Sequence, residues 1–243
     1  MPVESCLIVA AGKGTRLKEY GDLKPLVPVG GIALIERGMR VAHAAGVKHF
    51  VVVTGYKTEL LTPALETIAA RNQFDLRTVF NPAFEEPNGL SVLCGAPFLK
   101  GPFYLTMCDH MVEREIYTAL SAIDLAEDSV ALGVDYRLDN PDVDIDDVTK
   151  VATRDGRIHS IGKNITQYDG YDTGVFRAGP ALFDAIGSSR DNTGDCSISG
   201  GMNILCASAR ARAVDTGNAR WIDVDSPPMH DIASDWAAKH QHD

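Results

Sequence analysis

Two segments near the start of the chain carry residue types that bind phosphate groups. The apolar run Cys6-Leu7-Ile8-Val9-Ala10-Ala11 predicts a strand, which leads into Gly12-Lys13-Gly14-Thr15-Arg16-Leu17, and Lys24 follows shortly afterwards. Glycines let a backbone approach a ligand closely, and backbone N–H groups at the start of a following helix attract anions. The guanidinium of Arg16 could fork onto phosphate oxygens while Lys24 places a compact charge on another. The segment therefore predicts a phosphate-binding loop.

The common nucleotide motifs do not fit this loop. Leu17 stands where the dinucleotide fingerprint has its third glycine, and the glycine spacing of a P-loop is absent. A tight strand-to-helix turn with solvated basic side chains is the alternative interpretation. The chain as a whole has a formal net charge of −10, but cations outnumber acidic residues in the segment 12–26. This segment therefore predicts a basic pocket, made by Lys13, Arg16, Lys18 and Lys24.

Three aspartates lie where a divalent cation could be held. Asp109 comes shortly after the apolar run 103–107, and strand alternation at 221–225 puts Asp223 and Asp225 on one face. Like charges so placed repel each other unless a cation is near, and Mg²⁺ takes one or two carboxylates while keeping several waters. Asp109 and Asp225 could instead cap neighbouring elements, whereas a carboxylate at Asp223, inside an apolar strand, is harder to explain structurally.

Composition narrows the class of protein. A chain of 243 residues, 45% of them hydrophobic, predicts one domain over residues 1–243. The negative net charge argues against a nucleic-acid partner or an anionic membrane surface. Five cysteines at irregular spacing without a Cys-x-x-Cys pair fit reduced thiols, which predicts a cytoplasmic protein. No apolar stretch reaches the length of a membrane span, and the early apolar run is too short for a signal peptide.

The order of predicted elements favours an α/β fold. Alternating strands and helices over residues 1–135 predict a Rossmann-like, mostly parallel mixed sheet flanked by helices, with a short helix from about Ser91. Asp155-Gly156 between two apolar runs predicts a β-hairpin, which we expect as an antiparallel insertion over the parallel core. The acidic stretch 139–147 is typical of a solvated loop. Ligands of such sheets bind beyond the carboxyl ends of the strands, where the glycine-rich loop and Asp109 should converge.

The glycine-rich loop with Lys24-Pro25-Leu26 resembles the signature of nucleotidyltransferases that activate sugar phosphates and polyol phosphates. Asp109 and the segment 221–225 resemble that family's metal-binding positions. Mid-chain segments extend the resemblance to the cytidylyltransferase part of archaeal bifunctional enzymes that make CDP-inositol from CTP and L-myo-inositol 1-phosphate. These segments are Leu105-Thr106-Met107-Cys108-Asp109-His110, Val143-Asp144-Ile145, Thr149-Lys150-Val151, Gly156-Arg157-Ile158, Ile161-Gly162-Lys163, Asp172-Thr173-Gly174-Val175-Phe176 and Trp221-Ile222-Asp223-Val224-Asp225.

The resemblance implies a nucleotide-diphospho-sugar transferase type of fold and Mg²⁺-dependent transfer of a cytidylyl group from CTP to a polyol phosphate. Residues 1–135 would chiefly bind the nucleotide and residues 136–243 the acceptor. Arg16, Lys24 and Asp109 would carry catalysis. We expect His110 to be structural or to support a neighbouring site residue, with contact to the acceptor as the alternative. The implied nucleotide-binding residues are Ala10, Ala11, Gly12, Lys13, Gly14, Thr15, Arg16, Lys24, Asn88 and Ser91. The implied acceptor-binding residues are Lys150, Lys163, Asp172 and Thr173, and the implied metal ligands are Asp109, Asp223 and Asp225.

Departures from the pattern leave alternatives open. Cys108 stands where the archaeal pattern has glycine, and no membrane-embedded CDP-alcohol transferase domain is present, which implies that the product passes to a separate membrane enzyme of the CDP-alcohol phosphatidyltransferase type. A homodimer is compatible with the sequence. The alternatives are a phosphocholine or sugar-1-phosphate nucleotidyltransferase, and a non-catalytic nucleotide sensor on the same fold. Choline would require an aromatic cage, for which the candidates are Tyr136, Tyr168, Tyr171 and Phe176.

Overall fold

Strands and helices alternate through residues 2–239, the part of the chain that the computed structural model describes. The elements of the first half are β1 Ser5–Ala10, β2 Pro28–Val29, β3 Ile32–Ala33, α1 Leu34–Ala44, β4 His49–Thr54, α2 Thr58–Asn72, β5 Asp75–Phe80, α3 Gly89–Gly95, β6 Phe103–Met107, β7 His110–Val112, α4 Arg114–Ala122 and β8 Val130–Asp135. Those of the second half are β9 Lys150–Arg154, β10 Arg157–Gly162, β11 Gly170–Ala178, α5 Pro180–Thr193, α6 Ile198–Ala207, β12 Ala211–Asp215, β13 Trp221–Asp223 and α7 Pro227–Lys239.

A nine-stranded mixed sheet has the order β5-β4-β1-β6-β11-β8-β12-β10-β9. The first four strands of that order are parallel, as expected. Beyond them the sheet is mixed and not mostly parallel: β11 runs antiparallel to both β6 and β8, although β12 runs parallel to β8. β9 pairs with β11 as well as with β10, so the last strands of the order return to the middle of the sheet.

The predicted hairpin forms, but it extends the sheet instead of lying over it. β9 and β10 are joined by Asp155 and Gly156, which both have positive φ (53° and 69°), the backbone that a two-residue hairpin turn requires. β10 reaches the rest of the sheet through one pair, Arg157 with Arg212. The insertion is therefore part of the main sheet, which corrects the expectation of a separate layer.

Apolar side chains on the two faces of the sheet form two cores. Strand β1 shows the alternation, since Cys6, Ile8 and Ala10 face α1, α2 and α4, whereas Leu7 and Val9 face α3, α5 and α6. A third cluster packs α7 against the glycine-rich loop and β13 through Leu17, Ile222 and Trp236. This cluster fixes the loop beside the strand that carries Asp223.

Several local predictions are confirmed and others shift. β6 has the predicted bounds, α3 begins at Gly89 instead of Ser91, and β13 ends at Asp223. All five cysteines are free thiols. Within residues 2–239, no helix combines the length and the apolar character needed to cross a membrane.

Candidate active site

A cavity lies beyond the carboxyl ends of β1 and β6, where the glycine-rich loop and Asp109 were expected to converge. β1 and β6 are parallel neighbours, so the segments that follow them leave the sheet at the same edge. The start of α6, the middle of β11 and the end of β13 complete the walls. The lining residues are Asn88, Met107, Asp109, His110, Asp142, Val143, Asp144, Asp147, Val148, Thr149, Lys163, Asp172, Gly174, Phe176, Ile198, Ser199, Trp221, Asp223, Asp225 and Met229.

The glycine-rich loop packs closely against the side chain of Lys24. Gly14 has φ +55°, and a Cβ there would overlap the side chain of Lys24, so the approach of these two segments requires glycine. The space around Gly12 is open. A short 3₁₀ turn, Thr15–Leu17, follows the loop, so the expected α-helix with its anion-binding N–H groups is wrong.

The cations of this loop are paired with carboxylates. Lys24 is 8% exposed, and its Nζ lies 2.5 Å from Oδ2 of Asp109 and also contacts Asp225. Nη2 of Arg16 lies 2.5 Å from Oδ2 of Asp225 and 2.8 Å from Oδ2 of Asp147. Lys13 pairs with Glu85. The expected basic pocket is therefore wrong: three of its four cations are paired with carboxylates, and none of the four is among the residues that line the cavity.

The three predicted metal ligands meet. The backbone N–H of Val224 donates to the carbonyl oxygen of Asp109 at 2.9 Å, and Asp223 pairs with His110 in the β7–β13 ladder. These backbone pairings carry the side chains into two overlapping groups of ligand atoms, each within 4.8 Å, which are Asp109 with His110 and Asp223, and Asp147 with Asp223 and Asp225.

Asp223 has an unsatisfied oxygen within this cluster. Its Oδ1 is buried and has no hydrogen-bond partner among residues 2–239. Burial raises the pKa of Asp223, and the negative charge of Asp109 raises it further. A buried carboxylate oxygen without a partner, surrounded by other carboxylates, suits a hard divalent cation. The side chains present therefore fit Mg²⁺.

His110 lies among these carboxylates and lines the cavity. Its Nδ1 is 3.0 Å from Oδ1 of Asp109. Burial alone would lower the pKa of His110, but Asp223 and Asp109 outweigh it and raise that pKa to about 9. Burial would likewise raise the pKa of Asp109, yet Lys24 and His110 hold it well below the usual range. The site thus keeps an imidazolium beside ionised Asp109 at neutral pH.

Asp172 and Lys163 also line the cavity. Oδ1 of Asp172 accepts a hydrogen bond of 2.7 Å from the backbone N–H of Gly174. Gly174 has φ +76°, and a Cβ there would overlap the ring of His110. Burial raises the pKa of Asp172 to about 6. The ammonium of Lys163 pairs with Asp147. Both residues thus lie at the aspartate cluster: Asp223 and His110 are the charges that act on Asp172, and Lys163 pairs with Asp147.

Two implied acceptor residues lie elsewhere. Thr173 is fully buried, and its hydroxyl donates to the carbonyl of Gly133 at 2.8 Å, because strand alternation turns it away from the face of Asp172. Nζ of Lys150 donates to the carbonyls of Ile145 and Lys163, both at 3.1 Å. Neither lines the cavity, so the structure does not support the acceptor contacts that the resemblance implied for Thr173 and Lys150.

The implied base-reading residues behave differently from each other. Asn88 lines the cavity, and its Oδ1 accepts a hydrogen bond of 3.0 Å from the N–H of Ile198 at the start of α6. Ser91 is 2% exposed, and its hydroxyl accepts a hydrogen bond of 2.9 Å from Asn81. Ser91 therefore supports the segment from within, and only Asn88 is placed to contact a ligand.

The segment 136–149 forms much of one wall, although its sequence predicted a solvated loop. Asp135 is fully buried and accepts hydrogen bonds from Arg137, Asn140 and the indole of Trp221, which anchors the segment. The residues of this segment that line the cavity are Asp142, Val143, Asp144, Asp147, Val148 and Thr149. The only signal for this role in the sequence was the family resemblance at 143–145 and 149–151.

The candidate aromatic cage does not assemble. The hydroxyl of Tyr136 donates to Thr153, and that of Tyr171 donates to the carbonyl of Leu138. Of the four candidates, Phe176 alone lines the cavity; Tyr168 packs against Tyr171 instead. A quaternary ammonium would find no ring of aromatic faces there.

Comparison with known proteins gives consistent results. Residues 6–141 match the model of the MobA-like NTP transferase domain. A protein of Rubrobacter xylanophilus named "Bifunctional IPC transferase and DIPP synthase" is 34% identical, over 95% of this chain and 52% of its own length. A protein of the same name from Thermococcus kodakarensis is 32% identical, over 93% of this chain and 49% of its own length. The chain thus spans about half the length of these relatives.

Solved structures share the fold. The inositol-1-phosphate CTP transferase from T. maritima superposes with a TM-score of 0.85 at 24% identity, covering 97% of this chain and 96% of that chain. UDP-glucose pyrophosphorylase complexed with UDP-glucose gives a TM-score of 0.77 at 17% identity, with 98% and 99% coverage. The mixed sheet with its flanking helices is therefore the α/β fold of nucleotidyltransferases.

The cavity thus lies in a chain whose relatives match it almost from end to end, and the family model covers the glycine-rich loop, Asp109 and the strands that hold them. On these grounds the chain belongs to the MobA-like NTP transferase family and is a nucleotidyltransferase.

Proposed function

We propose that the protein transfers a cytidylyl group from CTP to L-myo-inositol 1-phosphate, forming CDP-inositol and pyrophosphate. The observation that carries the proposal is one cavity lined by the aspartate cluster, by Asp172 and by Lys163, with Lys24 and Arg16 paired to carboxylates of that cluster. The names of the relatives and of the similar structure from T. maritima support the choice of nucleotide and acceptor.

Asp109, Asp223 and Asp225 would hold Mg²⁺ in this reaction. Oδ1 of Asp223, which has no partner among residues 2–239, is the contact left open for the cation. When bound, Mg²⁺ supplies positive charge to phosphate oxygens that become more negative as the reaction proceeds. Asp147 lies within the same group of ligand atoms, so the cluster offers more carboxylates than Mg²⁺ requires.

The chemical step needs positioning and charge neutralisation more than covalent help from the protein. An oxygen of the acceptor phosphate attacks the α-phosphorus in line; the new P–O bond forms as the bond to the pyrophosphate oxygen breaks. Lys24 carries a buried ammonium, which is worth more to a developing charge than an exposed one. Arg16 is 52% exposed and would hold the outer phosphates.

Nucleotide and acceptor would both bind at this cavity. Residues 1–135 would chiefly bind CTP through the glycine-rich loop and Asn88, and residues 136–243 would bind the acceptor, within one domain. The ammonium of Lys163 suits the acceptor phosphate, and the oxygen of Asp172 that does not bind Gly174 can accept from polyol hydroxyls. CDP-inositol would then be the substrate of an enzyme activity of the CDP-alcohol phosphatidyltransferase type.

The proposal is tested by measuring pyrophosphate release from each of CTP, UTP, GTP and ATP with inositol 1-phosphate, glucose 1-phosphate and phosphocholine. The variant Asp109→Ala serves as the control for contaminating activity. We expect turnover with CTP and inositol 1-phosphate to exceed every other pair. Preference for UTP with glucose 1-phosphate would replace the proposal with a sugar-1-phosphate activity, and preference for phosphocholine would refute the polyol acceptor.

A further inference from the structure

Asp147 joins residues from the two sides of the cavity. Its Oδ2 lies 2.8 Å from Nη2 of Arg16 in the glycine-rich loop, and its Oδ1 pairs with Nζ of Lys163 after β10. The two cations are 131 and 16 residues away from Asp147 along the chain. One carboxylate thus spans the nucleotide side and the acceptor side.

Asp147 sits on an ordered support. The backbone N–H groups of Asp147 and Val148 both donate to the carbonyl of Asp144, at 3.1 and 2.8 Å. Lys150 ties this turn to the other side, because its ammonium donates to the carbonyls of Ile145 and Lys163. The carboxylate is therefore held more firmly than the two long cationic side chains, which are 52% and 56% exposed for Arg16 and Lys163.

Pairing with Asp147 leaves both cations able to bind a phosphate. Both of the carboxylate contacts of Arg16 fall on Nη2, so its Nε and Nη1 have no partner among the described residues. The ammonium of Lys163 has three N–H donors and uses one on Asp147. A free arginine or lysine loses much rotamer freedom when a ligand immobilises it, and a carboxylate that holds it beforehand reduces that loss.

We propose that Asp147 is a positioning residue that aligns Arg16 with Lys163, and thereby aligns the triphosphate with the acceptor phosphate. The proposal deepens the function proposed above and depends on it for the role of Lys163. Asp147 lies within the acidic group that includes Asp223 and Asp225, so a role as a metal ligand is the alternative outcome.

The test compares Asp147→Asn with Asp146→Asn, a neighbouring exposed aspartate whose side chain has no hydrogen bond within the described residues. Steady-state kinetics are measured in each substrate, alone and combined with Lys163→Ala. We expect Asp147→Asn to raise the KM for the acceptor about fivefold or more in the wild-type background. In the Lys163→Ala background the same substitution should raise that KM by less than about twofold, because the effects of substitutions at coupled residues do not add. Asp146→Asn should behave like the wild-type protein. Equal losses in both backgrounds would overturn the proposal.

A second readout separates positioning from metal binding. Affinity for Mn²⁺ alone, measured by electron paramagnetic resonance, should match the wild-type value in Asp147→Asn and fall sharply in Asp223→Asn. Loss of Mn²⁺ affinity in Asp147→Asn would overturn the proposal in favour of a metal ligand. The steady-state kinetics of these variants are measured with the substrate pair that the wild-type protein turns over. If that pair is not CTP with inositol 1-phosphate, the proposed function fails while Asp147 is still tested. If Lys163→Ala leaves the acceptor KM unchanged, the assigned role of Lys163 fails and the proposal for Asp147 fails with it.

Discussion

Replacing Asp223 by asparagine should stabilise the fold while removing activity. Oδ1 of Asp223 is buried and has no partner in the described part of the chain, and burial together with the charge of Asp109 raises the pKa of Asp223. A carboxyl group whose pKa is higher in the folded state than in the unfolded state binds its proton more tightly when folded, so the ionised form lowers stability at neutral pH. The amide has the same shape and no charge, which removes that cost.

The size of the effect follows from the charge that the substitution removes. A buried group without a partner costs about 1 to 3 kcal/mol, and more when it is charged, so the neutral amide should recover part of that cost. Since about 1 kcal/mol shifts Tm by roughly 2 to 4 °C in a chain of this size, Asp223→Asn should raise Tm by several degrees in a chelator at neutral pH. The gain should shrink as the pH falls through the raised pKa, because Asp223 is then neutral in the wild-type protein too.

Thermal unfolding followed by circular dichroism, with EDTA present, measures this directly. Asp225→Asn is the matched comparison, because Asp225 pairs with both Lys24 and Arg16 and its loss should lower Tm. Turnover of Asp223→Asn with saturating Mg²⁺ should fall by several orders of magnitude, about 4 kcal/mol or more of barrier. A lowered Tm for Asp223→Asn, or activity close to that of the wild-type protein, would refute the reasoning.

Three further predictions concern Lys24 and Arg16, which we assign to the nucleotide, and Asp172, which we assign to the acceptor. Lys24→Ala should lower kcat more than it raises the KM for CTP, whereas Arg16→Ala should raise that KM more than it lowers kcat. Steady-state kinetics with CTP as the varied substrate measure both, and a change in KM alone for Lys24→Ala would contradict its catalytic role. Asp172→Ala should lower kcat/KM for inositol 1-phosphate by about 1 to 3 kcal/mol while calorimetry shows unchanged CTP binding, and weakened CTP binding would place Asp172 at the nucleotide. Burial raises the pKa of Asp172 to about 6, above its unfolded value, so ionisation of Asp172 lowers stability as the pH rises through about 6. Asp172→Asn should therefore have a higher Tm than the wild-type protein at neutral pH but not in acid. A Tm gain of the same size at both pH values would contradict this.

The parts of the site that depend on local pattern could be predicted from the sequence. The strand before the glycine-rich loop, the hairpin turn at Asp155-Gly156 and the strand before Asp109 follow from apolar runs and turn residues, and all three form. The meeting of Asp109, Asp223 and Asp225 was expected because strand ends gather at one edge of such a sheet. The roles that we propose for these aspartates remain predictions.

Other parts depend on contacts between distant residues. The wall formed by 136–149 is anchored by Asp135 to Trp221 and by Asp142 to Arg220, pairings with no trace in local composition. Lys150 was assigned to the acceptor by resemblance, but its ammonium holds two carbonyls of neighbouring segments. The burial of Thr173 was within reach of the sequence, since strand alternation separates it from Asp172.

Phosphorus NMR of the complete reaction directly follows the proposed transfer of a cytidylyl group to the phosphate of inositol 1-phosphate. With CTP, inositol 1-phosphate, Mg²⁺ and the wild-type protein, we predict that the signals of CTP and of the acceptor phosphomonoester decline together. Pyrophosphate and the paired diphosphate signals of CDP-inositol should grow in equal amounts. If the nucleotide is consumed while the acceptor phosphomonoester signal stays constant, or neither substrate changes, the account is contradicted.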